Sequence, residues 1–338
     1  MTTQQSVPVR STSATPGLVL TAAGVAGAFL AHRLVGQVGL LTWAVLLGAV
    51  AANAGLVPDR AKPGLRVATR RMLRTGVVLL GFSLSVVSIL ALGLPVIALV
   101  VVTLTSTLLA TRWLGVRMGL GPARSLLIGT GFAICGASAI AAMEENAEAD
   151  EDDVAVAIAM VTICGTVAMV VLPLLQGPLG LDDAQLGAWA GASVHEVGQV
   201  VAAASPAGAA AVYVAVVVKL TRVLLLAPAV ATVSVVRRRA AVDGPADGGG
   251  ALPPVVPLFV LGFLACVCLR SAGLVPAGVL HAVSALQDVT LGAALFGMGT
   301  GVHLPSLARG GGRALALATV STLVVATVSL AGVLALVR

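Results

Sequence analysis

Ile134-Cys135-Gly136-Ala137-Ser138-Ala139-Ile140, set within the stretch 125–143, decides how this chain is read. The stretch is apolar enough to enter a bilayer, yet Gly129, Gly131 and Gly136 and the small residues around Ser138 make it a poor continuous helix. A membrane helix that breaks midway exposes N–H and C=O groups that lipid cannot satisfy. Such a break persists only where it lines a cavity or binds a ligand. The run therefore reads as half of a transport site, with close packing of small residues as the alternative.

Composition supports a membrane setting. Of the 338 residues, 58% are hydrophobic and 10% charged, and the mean hydropathy of +1.06 excludes a pair of soluble domains. The net charge of +6 with only 3% aromatic residues does not indicate nucleic acid, because the basic residues fall in short loops between apolar runs. Cys135, Cys164, Cys266 and Cys268 all lie in apolar segments and lack ligand spacing, so no metal and no cofactor is expected. The polar start, residues 1–16, reads as a cytoplasmic tail before an uncleaved first span.

Eleven apolar runs follow, at 17–35, 38–57, 75–93, 95–111, 124–143, 154–175, 186–204, 208–235, 254–275, 287–306 and 314–336. The expected fold is an all-α integral membrane protein of about 10–11 segments, a single transporter domain over 17–338. The runs 124–143 and 186–204 are short and interrupted, and either cross or re-enter. Arg60, Lys62, Arg66, Arg70, Arg71 and Arg74 place their loop in the cytoplasm. The clusters Arg112/Arg117/Arg124, Arg237/Arg238/Arg239 and Arg309/Arg313 agree with it. The expected location is the cell membrane, multi-pass, with the N-terminus cytoplasmic and a flexible cytoplasmic linker at 240–252.

Ala54-Gly55-Leu56-Val57-Pro58 recurs letter for letter as Ala272-Gly273-Leu274-Val275-Pro276, and Thr75–Phe82 resembles Leu291–Met298. An odd number of passes separates the copies, which is the mark of an inverted repeat, with halves near 37–175 and 186–338. A weaker echo links Gly129–Pro173 to Gly187–Pro228, in permuted order. These copies are inverted only if both interrupted runs re-enter.

Several residues could carry chemistry. Lys219 and Arg222 lie in the middle of an apolar span, three apart on one helix face, and such cations need an anion. That anion is either the substrate or a buried carboxylate such as Glu196. A helix that restarts at Cys135, Gly136, Ala137 and Ser138 offers backbone donors and a hydroxyl to an oxyanion. His195 and Gln199 fall one helical turn apart with Glu196 beside them, either as a proton-coupling group or as hydrogen-bonding glue. Position 199 is not His, so the zinc-peptidase pattern is incomplete. Gly297–Gly301 is a second small-residue run, either an opening or scaffold. Asp288 and His303 lie near span ends, and the acidic run 144–153 reads as a solvated loop.

The run 134–140, together with Val194-His195-Glu196-Val197-Gly198-Gln199-Val200-Val201-Ala202-Ala203, resembles the YeiH-type family of bacterial inner-membrane proteins, named as sulfate exporters. The likeness takes in Leu79–Phe82 and the run at Gly297 and extends over nearly the whole chain, with Gly198 standing where the family pattern has Ala. The resemblance implies an inverted-repeat architecture akin to sodium/proton antiporters and bile acid symporters, and export of sulfate or a small sulfonate. The expected partners are a small anionic solute, the lipid bilayer and, as an option, a second copy in a homodimer, with no nucleic acid. The expected protein is a secondary transporter and no enzyme. A cation/proton antiporter, a passive channel and a membrane hydrolase using His195 and Glu196 are the alternatives.

Overall fold

The computed structural model describes residues 14–36, 39–242, 258–301 and 311–337, and among these every regular element is helical. The chain runs α1 (Thr15–Leu34), α2 (Leu40–Asn53), α3 (Lys62–Val67), α4 (Leu73–Leu80), α5 (Val86–Ala91) and α6 (Gly93–Arg117). Next come α7 (Pro122–Ala133), α8 (Ala137–Ala147), α9 (Glu151–Leu174), α10 (Gln176–Leu179), α11 (Asp183–Ser193) and α12 (Val197–Ala204). It finishes with α13 (Gly208–Leu224), α14 (Leu226–Val242), α15 (Leu258–Ser271), α16 (Ala277–Gly299) and α17 (Gly312–Leu336). Among the described residues six helical runs are long and apolar enough to cross a membrane: α1, α6, α9, α16, α17 and the run Val197–Arg238. Three shorter runs, those of α2, α4 and α15, are also apolar.

One face gathers most of the basic residues, with Arg33 and Arg270 at the opposite ends of α1 and α15. Arg124, at the start of α7, holds Asp153 at 2.6 Å and Asp152 at 2.7 Å. Arg66 reaches Glu151 at 3.3 Å. At the end of α14, Arg237 pairs with Glu148 and donates to the Asn146 carbonyl at 2.6 Å. Arg313 lies beside Gly119 on the same face. The acidic run is thus a docked clasp rather than a free loop. Its position is informative, because the start of α7 and the start of α9 meet. The pair α7–α8 therefore enters from the basic face and returns to it. Twelve residues of α7 span about 18 Å, little more than half of a bilayer core.

The pair α11–α12 does the same from the far face. Its entry is tied to the chain end through Gln185, which donates to the Val337 carbonyl at 2.9 Å. α11 runs parallel to α13, with Gly187 and Gly191 so close to the Ala211 and Ala215 carbonyls that a Cβ would lie 2.5 and 2.3 Å from them. Both interrupted runs are therefore re-entrant hairpins, and they enter from opposite faces. The weaker sequence echo is inverted like the stronger one.

The letter-for-letter repeat is also a structural repeat. Gly55 (φ +71°) and Gly273 (φ +70°) end α2 and α15 in the left-handed conformation. The next N–H in each copy reaches back to close the helix, Leu56 to Ala51 at 2.9 Å and Leu274 to Leu269 at 3.3 Å. The first copy leads into the basic face. The second lies at the far face, where Ser271 accepts from the Val86 N–H at 3.0 Å. In chain order the first set reads helix pair α2–α4, long helix α6, hairpin α7–α8, span α9. The second reads hairpin α11–α12, span α13–α14, helix pair α15–α16, long helix α17. It is a cyclic permutation of the first, with α1 outside both sets.

Three boundaries differ from the sequence reading. α16 occupies 277–299 rather than 287–306, because polar residues such as His281, Gln287 and Asp288 sit within it and lower the hydropathy of its first half. The span 208–235 is two helices meeting at Leu225, and 75–93 breaks at Gly81–Ser85. Gly297 and Gly299 pack against Thr69 and Val45, so that run is scaffold. Residues 1–13, the linker from 243 on, and His303 lie outside the described residues.

Candidate functional site

The two hairpins meet at their breaks, which places two helix C-termini and two helix N-termini together in the interior. α7 ends at Ala133 and α11 at Ser193, each leaving carbonyls without intrahelical partners. Lys219 and Arg222, fully buried on α13, satisfy these groups. Lys219 Nζ donates to the Ile134 and Val194 carbonyls, both at 2.8 Å, one from each hairpin. Arg222 Nε donates to Ala133 at 2.9 Å, Nη1 to Ala192 at 2.5 Å, and Nη2 to Phe132 at 2.7 Å and Ala133 at 2.5 Å. Cations at helix C-termini also oppose the macrodipole, worth about half a negative charge at each end. The spacing of three does bring both side chains to one place. Their partners are carbonyls, which neither sequence alternative named.

The restarting helices present their N-termini to a cavity of about 710 Å³. Cys135, Ala137 and Ser138 line it from the first hairpin, and Glu196, Val197 and Gly198 from the second. Its rim includes the exposed Gly36, Ser205 and Pro206, which opens it toward the far face. Gly136 makes the first break possible. Its φ of +76° suits glycine alone, and a Cβ there would lie 2.9 Å from Glu196 Cγ. A second, smaller space of about 90 Å³ lies on the basic side and is lined by Thr69, Arg74, Ala141, Glu144 and Phe259 among others. Ser138 lines both.

His195 and Glu196 sit in the second break rather than on a helix, so His195 and Gln199 do not share a helical face. Glu196 is extended (φ −109°, ψ 149°) and caps α12. Its N–H donates to Gln199 Oε1 at 3.3 Å. In the return arm of this capping box the Glu196 side chain faces the Gln199 N–H, yet both carboxylate oxygens are buried without a full hydrogen bond. The His195 ring packs on Phe132 with centroids 4.4 Å apart, its nitrogens also lacking a full hydrogen bond. Gln199 presses against Gly165 of α9, where a Cβ would lie 2.1 Å from Oε1.

Of the sequence candidates, Cys135, Ala137, Ser138 and Glu196 face the cavity, Gly136 supports them, and His195, Gln199, Lys219 and Arg222 stand behind. Sequence reasoning left out Gln287, His32 and Gly198 as lining residues and placed Asp288 at a span end, whereas it lies in the cavity wall. The available signal was Asp288 itself, a carboxylate inside what proves to be a 23-residue helix. Gly198 is neutral in shape, since an alanine Cβ there would meet the Gly39 Cα at 3.5 Å, an ordinary contact.

Residues 16–318 match the family described as Conserved hypothetical protein 698. The chain is 41% identical to a UPF0324 membrane protein of Corynebacterium glutamicum, over 95% of this chain and 92% of that protein. It is 33% identical to one of Agrobacterium fabrum, over 93% and 91%, and 32% identical to one of Listeria monocytogenes, over 88% and 87%.

Proposed function

The chain belongs to the UPF0324 family of membrane proteins, and on that footing we propose that it is a secondary transporter, and no enzyme, carrying a small anion such as sulfate or a small sulfonate by alternating access. The basic face is cytoplasmic under the positive-inside rule, with the N-terminus on that side. The observation that carries the reading is Ser138. It stands at the break of a re-entrant helix and lines both the cavity of about 710 Å³ on the far side and the space of about 90 Å³ on the basic side. A site with a large cavity toward one face and only a small space toward the other suits a carrier better than a channel. The half-helix N-termini supply a positive end and N–H donors for an oxyanion, as in other carriers with broken helices. Cys135, Gly136, Ala137 and Ser138 are the binding segment. Lys219 and Arg222 hold that segment in place and contribute positive charge from behind it.

A cation/proton antiporter is the second reading, favoured by one observation: the acidic Glu196 and Asp288 line the cavity, whereas among the described residues no Lys or Arg does. Counterflow of labelled sulfate in proteoliposomes, with a small sulfonate as competitor, separates the two. The expected result is saturable counterflow, abolished by Val201→Trp, which fills the cavity from α12, with the melting temperature preserved. Absence of anion flux together with sodium or potassium flux against a proton gradient would establish the second reading instead.

A further inference from the structure

The anion site as it stands is already occupied by part of the protein. Glu196 caps α12, and its side chain lies against Gly136, the residue that caps α8. The carboxylate therefore sits between the two helix N-termini that would bind a substrate. It is 5% exposed, lines the cavity, and neither oxygen has a full partner. The nearby cations do not neutralise it by direct bonding, because the donors of Lys219 and Arg222 are directed to carbonyls of both hairpins.

The local charge balance follows. Two helix C-termini contribute about −1 and two N-termini about +1, so these four ends roughly cancel. The two cations then leave about +2, which ionised Glu196 reduces to about +1. A dianion matches the site only once Glu196 is neutral.

We propose that the Glu196 carboxylate is the resident counter-anion of this site, and that substrate displaces it as Glu196 takes up a proton, so that one proton accompanies each dianion bound. This rests on the anion reading above. The proton arrives from solution through the cavity and binds a carboxylate oxygen, which becomes a donor to the incoming oxyanion, with no covalent bond made or broken. The groups facing Glu196 are Cys135 of the first break, His195 of its own break, Lys219 and Arg222 of α13, and, across the cavity, Asp288 of α16 with His32 of α1. His195 and Gln199 are positioning residues. Gln199 holds the Glu196 backbone, and His195 fills the space against Phe132.

The test is sulfate binding to the purified full-length protein in detergent, by calorimetry in buffers of differing ionisation enthalpy across a range of pH. Uptake of about one proton per sulfate is expected, with affinity falling about tenfold per pH unit on the alkaline side. Glu196→Gln should bind sulfate with no proton uptake and no pH dependence, and tighter than wild type at alkaline pH. Sulfate binding by wild type without proton uptake overturns the proposal while leaving the anion reading intact. So does uptake that survives in Glu196→Gln but is lost in His195→Gln. No sulfate binding by wild type at any pH, with a cooperative melt confirming the fold, removes both. If Glu196→Gln fails to fold, wild-type binding without proton uptake still overturns the proposal, as does uptake lost in His195→Gln, and uptake that persists in His195→Gln supports it.

Discussion

Arg222 and Glu196 show what sequence can and cannot disclose about a single residue. A guanidinium in a run of valines and leucines marks itself, because an unneutralised cation in mid-membrane costs at least about 2.5 kcal/mol even on insertion scales. Its partners leave no such mark, since backbone carbonyls become acceptors only where a distant helix stops. Arg222→Met would strip donors from the Phe132, Ala133 and Ala192 carbonyls, at about 1–3 kcal/mol for each buried group left unpaired. The variant should melt several degrees lower or fail to accumulate, as thermal-shift fluorescence would report. Ser138→Ala should melt like wild type yet bind sulfate more weakly. Gly136→Ala should do both kinds of damage, since a backbone at φ +76°, ψ −133° costs a non-glycine residue about 1–3 kcal/mol and the new methyl displaces the Glu196 side chain. Equal melting and equal sulfate affinity in Gly136→Ala and wild type would contradict the placement of that break.

Among elements, the hairpins were legible as interrupted segments but not as re-entrant ones. Glycine content and length identify a helix that breaks, whereas the direction of its second half depends on which loop it meets afterwards. Here that is decided by Arg124 holding Asp152 and Asp153, an attraction between the starts of two helices that carries no periodic signal. In a background without native cysteines, Arg117→Cys and Ala149→Cys should both react with a membrane-impermeant thiol reagent from the basic face. Ser205→Cys and Gln176→Cys should react from the opposite face. Labelling of Ala149→Cys from the far face alone would mean that α7–α8 crosses. The start of α16 was missed for a related reason, because hydropathy averages over the polar residues that a helix turns toward a cavity.

At the scale of the molecule, the two inverted sets make opposed openings natural, since exchanging their roles exchanges the face to which the site is open. The five-residue repeat made the inversion readable, because a left-handed glycine followed by Leu-Val-Pro specifies the same helix end wherever it occurs. The permuted order blurred the second echo, as an alignment running from one end of the chain to the other pairs unlike elements. In alternating access, Ala202→Cys in the open cavity should react quickly from the far face. Ala141→Cys beside the small space should react slowly from the basic face, and faster when sulfate is supplied on that side. Equal, sulfate-independent rates at the two positions would point to a continuous pore.

The bond from Lys219 to the Ile134 carbonyl joins residues 85 apart in sequence. At about 5–20 residues per second, a ribosome needs roughly 4–17 s to make that length of chain. For that interval the first hairpin exists while the lysine that will close its end has yet to be synthesised. Its free carbonyls must be met meanwhile by water, by lipid headgroups or by the insertion machinery. The hairpin therefore cannot take its final depth in the bilayer until α13 follows it in, and its burial comes late although its sequence is translated early.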